Sequence, residues 1–255
     1  MSSFNLRIFN KIFMVLNLLH QEQHIIELKM TILKYQLFGK NSVGAYLSVN
    51  NLYGLYPSTL MKMAVEKIKS TFEVPLFPFS INNSSLIGIY TASNKYGIIV
   101  PHIIRDDELE NLNIYTKQVA SSYQIGELKS LDNAYGNLIL CNDKGAIIST
   151  LLKDFRKEIE DVLNVETVVF DFANFYLPGS FGVCNNKGCL VHPLTSDPEI
   201  EQISEILKVE EVDVSTVNRG IPYVSSGAVV NDKDSIFGHA CTGPEMMRLT
   251  NVLQL

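Results

Sequence analysis

Short apolar runs in this chain are interrupted by polar turns. Residues 138–140 and 146–148, for example, are apolar runs on either side of the turn sequence Asn142-Asp143-Lys144-Gly145. We interpret such runs as β-strands and the turn as the tip of a hairpin, because Asn, Asp and Gly accept the left-handed backbone of tight hairpin turns. The pattern therefore predicts a series of two-stranded hairpins.

A helical pattern follows the hairpins. Apolar residues at helical spacing, with charged residues between them, occupy 152–163 and 200–207. A T-x-x-E capping pattern at 242–245 marks the start of a further helix. Another β-type run follows each of the first two helices, at 165–170 and 209–214. Each unit is therefore predicted to have the order strand, strand, helix, strand.

The unit recurs along the chain. A spacing of Gly, five residues, Asn, two residues and Gly occurs three times, and degenerate copies precede and follow these three. One Asn taken from each copy gives intervals of 43, 48, 43 and 46 residues. The anchoring residues are Asn51, Asn94, Asn142, Asn185 and Asn231, and the opening glycines are Gly44, Gly88, Gly136, Gly179 and Gly227. Five units of about 45 residues account for residues 30–255.

Five such units are predicted to close into a ring, because closure lets every unit bury its apolar face against a neighbour. The last unit ends in a helix, so the apolar run at 31–38 is expected to supply its final strand. Propellers of the WD type do not fit, because their blades contain four strands and no helix and usually carry a Trp signature, whereas this chain has no Trp. The expected fold class is α+β, with residues 30–255 as one domain.

Residues 1–29 lie outside the repeat. Their apolar run at 12–19 is too short to span a bilayer, and no small-residue cleavage site of a signal peptide follows it. Three readings stay open: a helix packed on the domain, an extension upstream of a natural start at Met30, and a weak membrane-surface anchor. The first two are favoured over the third.

Composition narrows the function. The chain has 255 residues and a net charge of -6, which is the wrong sign for a protein whose affinity comes mainly from neutralising phosphates. Nucleic acid is therefore disfavoured as the main ligand. Four cysteines are too few for a disulfide scaffold and have no zinc-binding spacing. We expect a cytoplasmic protein with no metal and no cofactor.

The cysteines are the first candidates for chemistry. Cys141 and Cys184 precede the anchoring Asn of their units, where a small strand residue explains both without chemistry. Cys184 and Cys189 lie on either side of one turn and could be close enough to bridge, although a reducing compartment favours free thiols. Cys241 lies before a helix and two residues after His239, where a helix N-terminus could activate a nucleophile. No partner acid is evident near it in sequence.

Several strings occur in one register along 30–255. They are GNLILCNDKGA at 136–146, NKGCLVHP at 186–193, TVNRG at 216–220 and TGPE at 242–245. Together they closely resemble the translation initiation factor 6 family, the ribosome anti-association factors of archaea and eukaryotes. The resemblance looks archaeal.

The resemblance implies a pentein fold, in which five strand-strand-helix-strand units surround a pseudo-fivefold axis. It also implies a function without enzymatic turnover. Family members bind the inter-subunit face of the large ribosomal subunit, mainly through a ribosomal protein near the sarcin-ricin loop and with limited rRNA contact. They sterically prevent the small subunit from joining. A monomer that does not bind membranes is expected.

By the same resemblance, the residues that contact the ribosome lie just after the repeat glycines and on the link into the fifth unit. They are Ala45, Ile89, Asn137, Ser180, Phe181, Ala228 and Tyr223. Phe181 is expected to be the aromatic anchor of the interface. The alternative function is that of a pentein-fold guanidine-modifying hydrolase or transferase, with Cys241 and either His192 or His239 as its catalytic groups.

Overall fold

Five similar α/β units make up the part of the chain that this computed structural model describes, residues 32–255. The prediction for residues 1–29 lies outside the described residues. Each unit has a short helix, two antiparallel strands, a long helix and a third strand parallel to the second. The predicted order of strand, strand, helix and strand is therefore confirmed, and the short helix at the start of each unit is a feature that the sequence pattern does not predict.

The short helices and the hairpin strands recur in every unit. In the order of units one to five, the short helices are Val43–Tyr46, Ile87–Tyr90, Tyr135–Leu138, Pro178–Phe181 and the 3-10 helix Val224–Gly227. The first strands are Ser48–Val49, Ala92–Ser93, Ile139–Cys141, Gly182–Cys184 and Ala228–Val230. The second strands are Gly54–Pro57, Gly97–Pro101, Gly145–Ile148, Gly188–Val191 and Ser235–Gly238.

The long helices, in the same order, are Lys62–Thr71, Asp106–Val119, Arg156–Leu163, Asp197–Leu207 and Gly243–Leu253. The 3-10 helix Thr150–Phe155 leads into the third of them. The third strands are Leu76–Phe79, Gln124–Leu128, Glu166–Val169, Glu211–Val214 and Ile32–Tyr35. None of the helices in the described range is long and apolar enough to cross a membrane.

The first described strand completes the fifth sheet. Ile32–Tyr35 pairs in parallel with Ser235–Gly238, with Ile32 opposite Ser235 and Tyr35 opposite Gly238. The prediction that the N-terminal run supplies the final strand of the last unit is confirmed. The sheet of unit five is therefore built from both ends of the repeat region.

The hairpins have the predicted positions but a different turn conformation. No residue in the turns of the five described hairpins has a positive φ, so the left-handed backbone inferred from the turn residues is wrong. The asparagine instead acts through its side chain. In unit three, Asn142 Oδ1 accepts hydrogen bonds from the backbone N–H groups of Lys144 at 2.8 Å and Gly145 at 3.0 Å. These bonds hold the turn closed without unusual dihedral angles.

The same hydrogen bonds correct two assignments in the repeat. In unit one the turn asparagine is Asn50 and not Asn51, because Asn50 Oδ1 accepts the backbone N–H groups of the turn. In unit five the position of the opening glycine is taken by Ser225, the second residue of its short helix, and not by Gly227. Ser225 precedes Asn231 by six positions, the spacing found in the other units.

The long helices bind neighbouring units together. Ile159 and Leu163 of the unit-three helix share a buried core cluster with Ile99 and Leu128 of the unit-two sheet. The other core clusters of the described chain likewise join residues of adjacent units. No unit therefore completes its hydrophobic core alone.

The buried Glu245 holds the loop that leads into the fifth short helix. Burial alone would raise the pKa of Glu245, but hydrogen bonds from the backbone N–H groups of Thr242, Gly220 and Arg219 and from the hydroxyl of Thr216 outweigh it and lower the pKa to about 2. The carboxylate thus caps its own helix and the loop before the fifth short helix. With the Thr242 hydroxyl at 2.9 Å, five donors converge on this carboxylate, and hydrogen bonds to a charged acceptor are stronger than those between neutral groups.

The short helices of successive units touch through their backbones. A Cβ atom added to Gly136 would overlap the carbonyl oxygen of Gly88 in the preceding unit, and one added to Gly88 would overlap the carbonyl oxygen of Gly44. The overlap is with backbone and cannot be relieved by a side-chain rotation. Glycine at these positions is therefore required by the distance between units.

We expect Gly136→Ala to lower the free energy of unfolding by about 3 kcal/mol, because the new methyl group forces adjacent units apart. Gly243→Ala is the matched control: a Cβ atom there meets nothing within 4 Å, so its stability should be unchanged or slightly higher. Denaturant unfolding of both variants tests this expectation. Equal stability of the two variants would contradict the close-approach argument.

We expect Glu245→Gln to lower the free energy of unfolding at pH 7 by up to about 3 kcal/mol, from a pKa displaced from 4.5 to about 2. The folded state holds the charged carboxylate, so the native stabilisation is complete above pH 4.5 and is lost as the pH falls toward 2. The two proteins should therefore converge in stability across that window. Glu205→Gln, at an exposed glutamate on the unit-four helix, serves as control. A stability difference that does not depend on pH would refute the role of the carboxylate charge.

Candidate functional site

All five units line one cavity of about 450 Å³, which we call the shared cavity. Each short helix contacts the short helix of the next unit, and the fifth contacts the first. Every residue that lines the cavity is uncharged, and most are small. The cavity therefore offers hydroxyl groups, thiols, backbone and short apolar side chains, but no ionised group of its own.

The structure brings most of the predicted contact residues together at this cavity. Ala45, Ile89, Asn137 and Ser180 are each the third residue of their short helix, and all four are half-buried and line the cavity. Tyr223 directly precedes the fifth short helix, lines the same cavity and is 47% exposed. These five residues come from five units and share one surface.

Two predicted contact residues are buried and offer little exposed surface, although Ala228 also lines the cavity. Phe181 is only 1% exposed and Ala228 only 4%. Ala228 is the first residue of a strand, and the true equivalent of Ala45 and Asn137 in unit five is Ser226, which is half-buried and lines the cavity. The choice of Gly227 as the repeat glycine shifted the predicted contact residue of unit five from Ser226 to Ala228.

Phe181 packs beneath the exposed aromatic side chains of this surface. Its ring stacks on His192 with centroids 4.4 Å apart, and it lies 4.7 Å from Phe175 and 5.4 Å from Tyr223. Burial lowers the pKa of His192, which favours the neutral ring. Replacing Phe181 with Ala would therefore remove core packing worth about 3–5 kcal/mol.

Two exposed aromatic residues near Tyr223 were missed by sequence reasoning. Phe175 is 43% exposed and Tyr176 is 60% exposed, and both lie on the loop that leads into the unit-four short helix. With Tyr223 they form what we call the aromatic patch. The signal available in the sequence was a pair of adjacent aromatic residues after the polar Asn174. Large exposed aromatic side chains of this kind are typical of protein interfaces.

A cluster of polar side chains lies at the hairpin turns. It consists of the residues that follow the turn asparagines: Asn51, Lys95, Asp143, Asn186 and Asp232. Asn186 Nδ2 donates to Asp143 Oδ2 and to Asp232 Oδ2, both at 2.7 Å, and Asn51 Nδ2 donates to the same two carboxylates at 2.7 and 3.0 Å. Residues of this cluster line a separate space of only about 40 Å³. The carboxylates are engaged in structural hydrogen bonds.

The turn asparagines of units two, three and four each join their unit to the next. Asn142 Nδ2 donates to the carbonyl oxygens of Asn185 at 3.0 Å and Leu207 at 2.9 Å, both in unit four. Asn94 and Asn185 make the corresponding bonds to their next units. Sequence reasoning assigned these residues to turns alone. Their recurrence at one position of the repeat was the signal available in the sequence for a second role.

The alternative built on Cys241 does not fit the site. Cys241 is 2% exposed, accepts a hydrogen bond from the backbone N–H of Asn218, and packs with Leu249 in a hydrophobic cluster away from the cavity lining. Burial raises the pKa of its thiol, whereas an activated nucleophile needs a lowered pKa. Among the described residues, no group of three or more His, Cys, Asp or Glu side chains is placed to hold a metal ion.

Comparison with known proteins places the chain among close relatives. Residues 32–252 match the model of the eIF-6 family. A protein named translation initiation factor 6 from Methanococcus vannielii is 39% identical over 224 residues, covering 88% of this chain and 99% of that protein. The protein of the same name from Methanocaldococcus jannaschii is 38% identical over 226 residues, with 89% and 99% covered. That from Staphylothermus marinus is 37% identical over 221 residues, with 86% and 96% covered. The match thus runs through all five units, and the chain belongs to the eIF-6 family.

Proposed function

We propose that this protein acts in translation as a ribosome anti-association factor, which binds the large ribosomal subunit and sterically prevents the small subunit from joining. The relatives described above carry the name translation initiation factor 6, which supports a role in translation initiation. The anti-association mechanism is the more specific part of the proposal. Steric blocking of subunit joining requires a binding surface and a protein large enough to occupy the joining face, but it requires no chemical step.

We infer that residues 30–255 form a single domain closed into a pentein ring. Two observations support this inference. The fifth short helix contacts the first, and the strand Ile32–Tyr35 completes the sheet of unit five. In such a ring the five short helices would surround the mouth of the shared cavity, and the polar cluster would close its other end.

The observation that carries the functional proposal is the gathering of contact residues at the short helices. Ala45, Ile89, Asn137, Ser180 and Tyr223 come from separate units, yet all line one cavity. Small residues at such a surface allow close backbone approach, and the neighbouring aromatic patch supplies large side chains that can be buried against a partner. The combination fits a protein surface better than a substrate pocket.

The net charge of the chain indicates which kind of partner would bind this surface. The chain carries a net charge of -6, and the cavity lining is uncharged. A basic ribosomal protein near the sarcin-ricin loop would be attracted by the overall field without having to pair buried charges at the contact. Extensive contact with rRNA phosphates would be opposed by the same field, so we propose limited rRNA contact. The proposed factor is a non-enzymatic, cytoplasmic monomer that binds no membrane.

We expect the protein to co-sediment with free large subunits from a methanogenic archaeon at a ratio that saturates near one to one. At saturation it should lower the yield of joined ribosomes in a sucrose gradient, because the bound factor occupies the joining face. Bovine serum albumin at the same concentration controls for non-specific trapping. Complete subunit joining at saturating protein would overturn the proposal.

We expect Tyr223→Ala and Asn137→Lys each to weaken large-subunit binding by about tenfold, the first by removing an aromatic contact and the second by placing a bulky charge at an uncharged surface. Met63→Ala is the matched control, since Met63 is 66% exposed but lies on the long helix of unit one. Quantitative co-sedimentation measures binding, and thermal unfolding checks that the variants remain folded. If both surface variants bind the large subunit with native affinity, the shared cavity and the aromatic patch are not the ribosome-binding surface.

A further inference from the structure

The hairpin of unit four places two cysteines directly opposite each other. Cys184 and Cys189 are partners in the antiparallel register. The adjacent pair, Asn185 and Gly188, closes the turn with a hydrogen bond from Asn185 N–H to the Gly188 carbonyl at 3.1 Å. Hydrogen-bonded and non-hydrogen-bonded pairs alternate in antiparallel ladders, so the cysteines occupy a non-hydrogen-bonded position, where Cα atoms are about 4.5 Å apart. That separation lies within the range of about 4.4–6.8 Å that disulfides span.

The two side chains also point to the same side of the hairpin. Both cysteines contribute to one hydrophobic cluster, and both are free thiols. The Cys184 thiol donates a hydrogen bond to the Cys141 carbonyl oxygen at 3.3 Å. The neighbouring Cys189 and burial raise the pKa of Cys184 well above its ordinary value, so the thiol is largely protonated near neutral pH and its oxidation is slow there. Because the two cysteines are register partners on one face, their sulfur atoms lie near each other before any reaction takes place.

The two thiols differ in their access to solvent. Cys184 is half-buried and lines the shared cavity, whereas Cys189 is 0% exposed. A reagent as small as hydrogen peroxide can enter a cavity of about 450 Å³. It would meet Cys184 first, and Cys189 would then be the nearest nucleophile able to react with the product. This is the arrangement of an attacked thiol beside a resolving thiol.

We propose that Cys184 and Cys189 form an oxidation site that hydrogen peroxide converts into a disulfide across the hairpin. In the first step the Cys184 thiol gives up its proton, the thiolate attacks one peroxide oxygen, and the O–O bond breaks. The thiolate becomes a sulfenic acid, and the leaving hydroxide takes up the released proton to form water. In the second step the Cys189 sulfur attacks the Cys184 sulfur, the S–O bond breaks, and a second water leaves with the Cys189 proton. One peroxide is reduced and two thiols are oxidised. The proposal does not rest on the proposed ribosome function, although Cys184 lines the cavity that carries it.

Unit three provides an internal comparison. Cys141 occupies the position of Cys184 and lines the same cavity, but its cross-strand partner is Ala146. The cavity lining therefore contains one cysteine with a cysteine opposite it, Cys184, and one without, Cys141. The variant Cys189→Ala is conservative, because it gives unit four the Cys–Ala pair that unit three has naturally. Cys141→Ser likewise reproduces unit two, where Ser93 holds the equivalent position.

The test treats the reduced full-length protein with hydrogen peroxide, blocks remaining thiols under denaturing conditions and maps tryptic peptides by mass spectrometry. Cleavage after Lys187 separates the two cysteines, so a disulfide appears as a linked pair of peptides. We expect this pair in the wild type and in Cys141→Ser, with a mass lower by two hydrogen atoms and two of the four thiols lost. Dithiothreitol should restore both thiols.

Cys189→Ala should give no linked peptides and should leave a sulfenic acid at Cys184 that dimedone traps. Oxidation should accelerate as the pH rises, because the thiolate is the reacting form. The proposal is overturned if the wild type links Cys141 to Cys184 instead. It is also overturned if Cys184 and Cys189 stay reduced while Cys141 is oxidised. Both results can be read from the wild-type protein alone, so they do not depend on the folding of a variant.

Discussion

The side-chain NH2 groups of Asn94, Asn142 and Asn185 are satisfied by the neighbouring unit. Asn142 closes its own turn through Oδ1, but its Nδ2 donates to Asn185 and to Leu207 at the end of the next long helix. A buried amide or carbonyl left without a partner costs about 1–3 kcal/mol, so separating two units leaves both a turn and a helix end unsatisfied. The core clusters that span adjacent units act in the same direction. The architecture therefore depends on contact between units more than on the stability of any one of them.

The order of strands and long helices could be predicted because each carries a pattern of its own. Alternating apolar runs, turn residues and helical spacing are local signals, and the 45-residue period repeats them five times. The short helices carry no such signal, since four residues are too few to show helical periodicity. Ser225 in place of glycine also hid the register of unit five, which led to Ala228 rather than Ser226.

The burial of Phe181 could not be predicted for a different reason. Its partners are separate from it in sequence. His192 directly follows the second strand of unit four, Phe175 lies on the preceding loop, and Tyr223 leads into the next unit. Residue type alone marks a phenylalanine as either core or interface. Only the three-dimensional arrangement shows that Phe181 is the base of the surface, whereas the exposed Phe175 and Tyr223 form its outer layer.

The pairing of Ile32 with Ser235 has a consequence for how the molecule is made. Ribosomes add about 5–20 residues per second, so roughly 10–40 seconds separate the synthesis of these two strands. During that interval the sheet of unit five cannot form, and the edge of the early strand has no partner. Contacts so distant in sequence also slow folding, because a long loop must close first. The complete fold is therefore reached only after the second strand of the fifth unit has been synthesised.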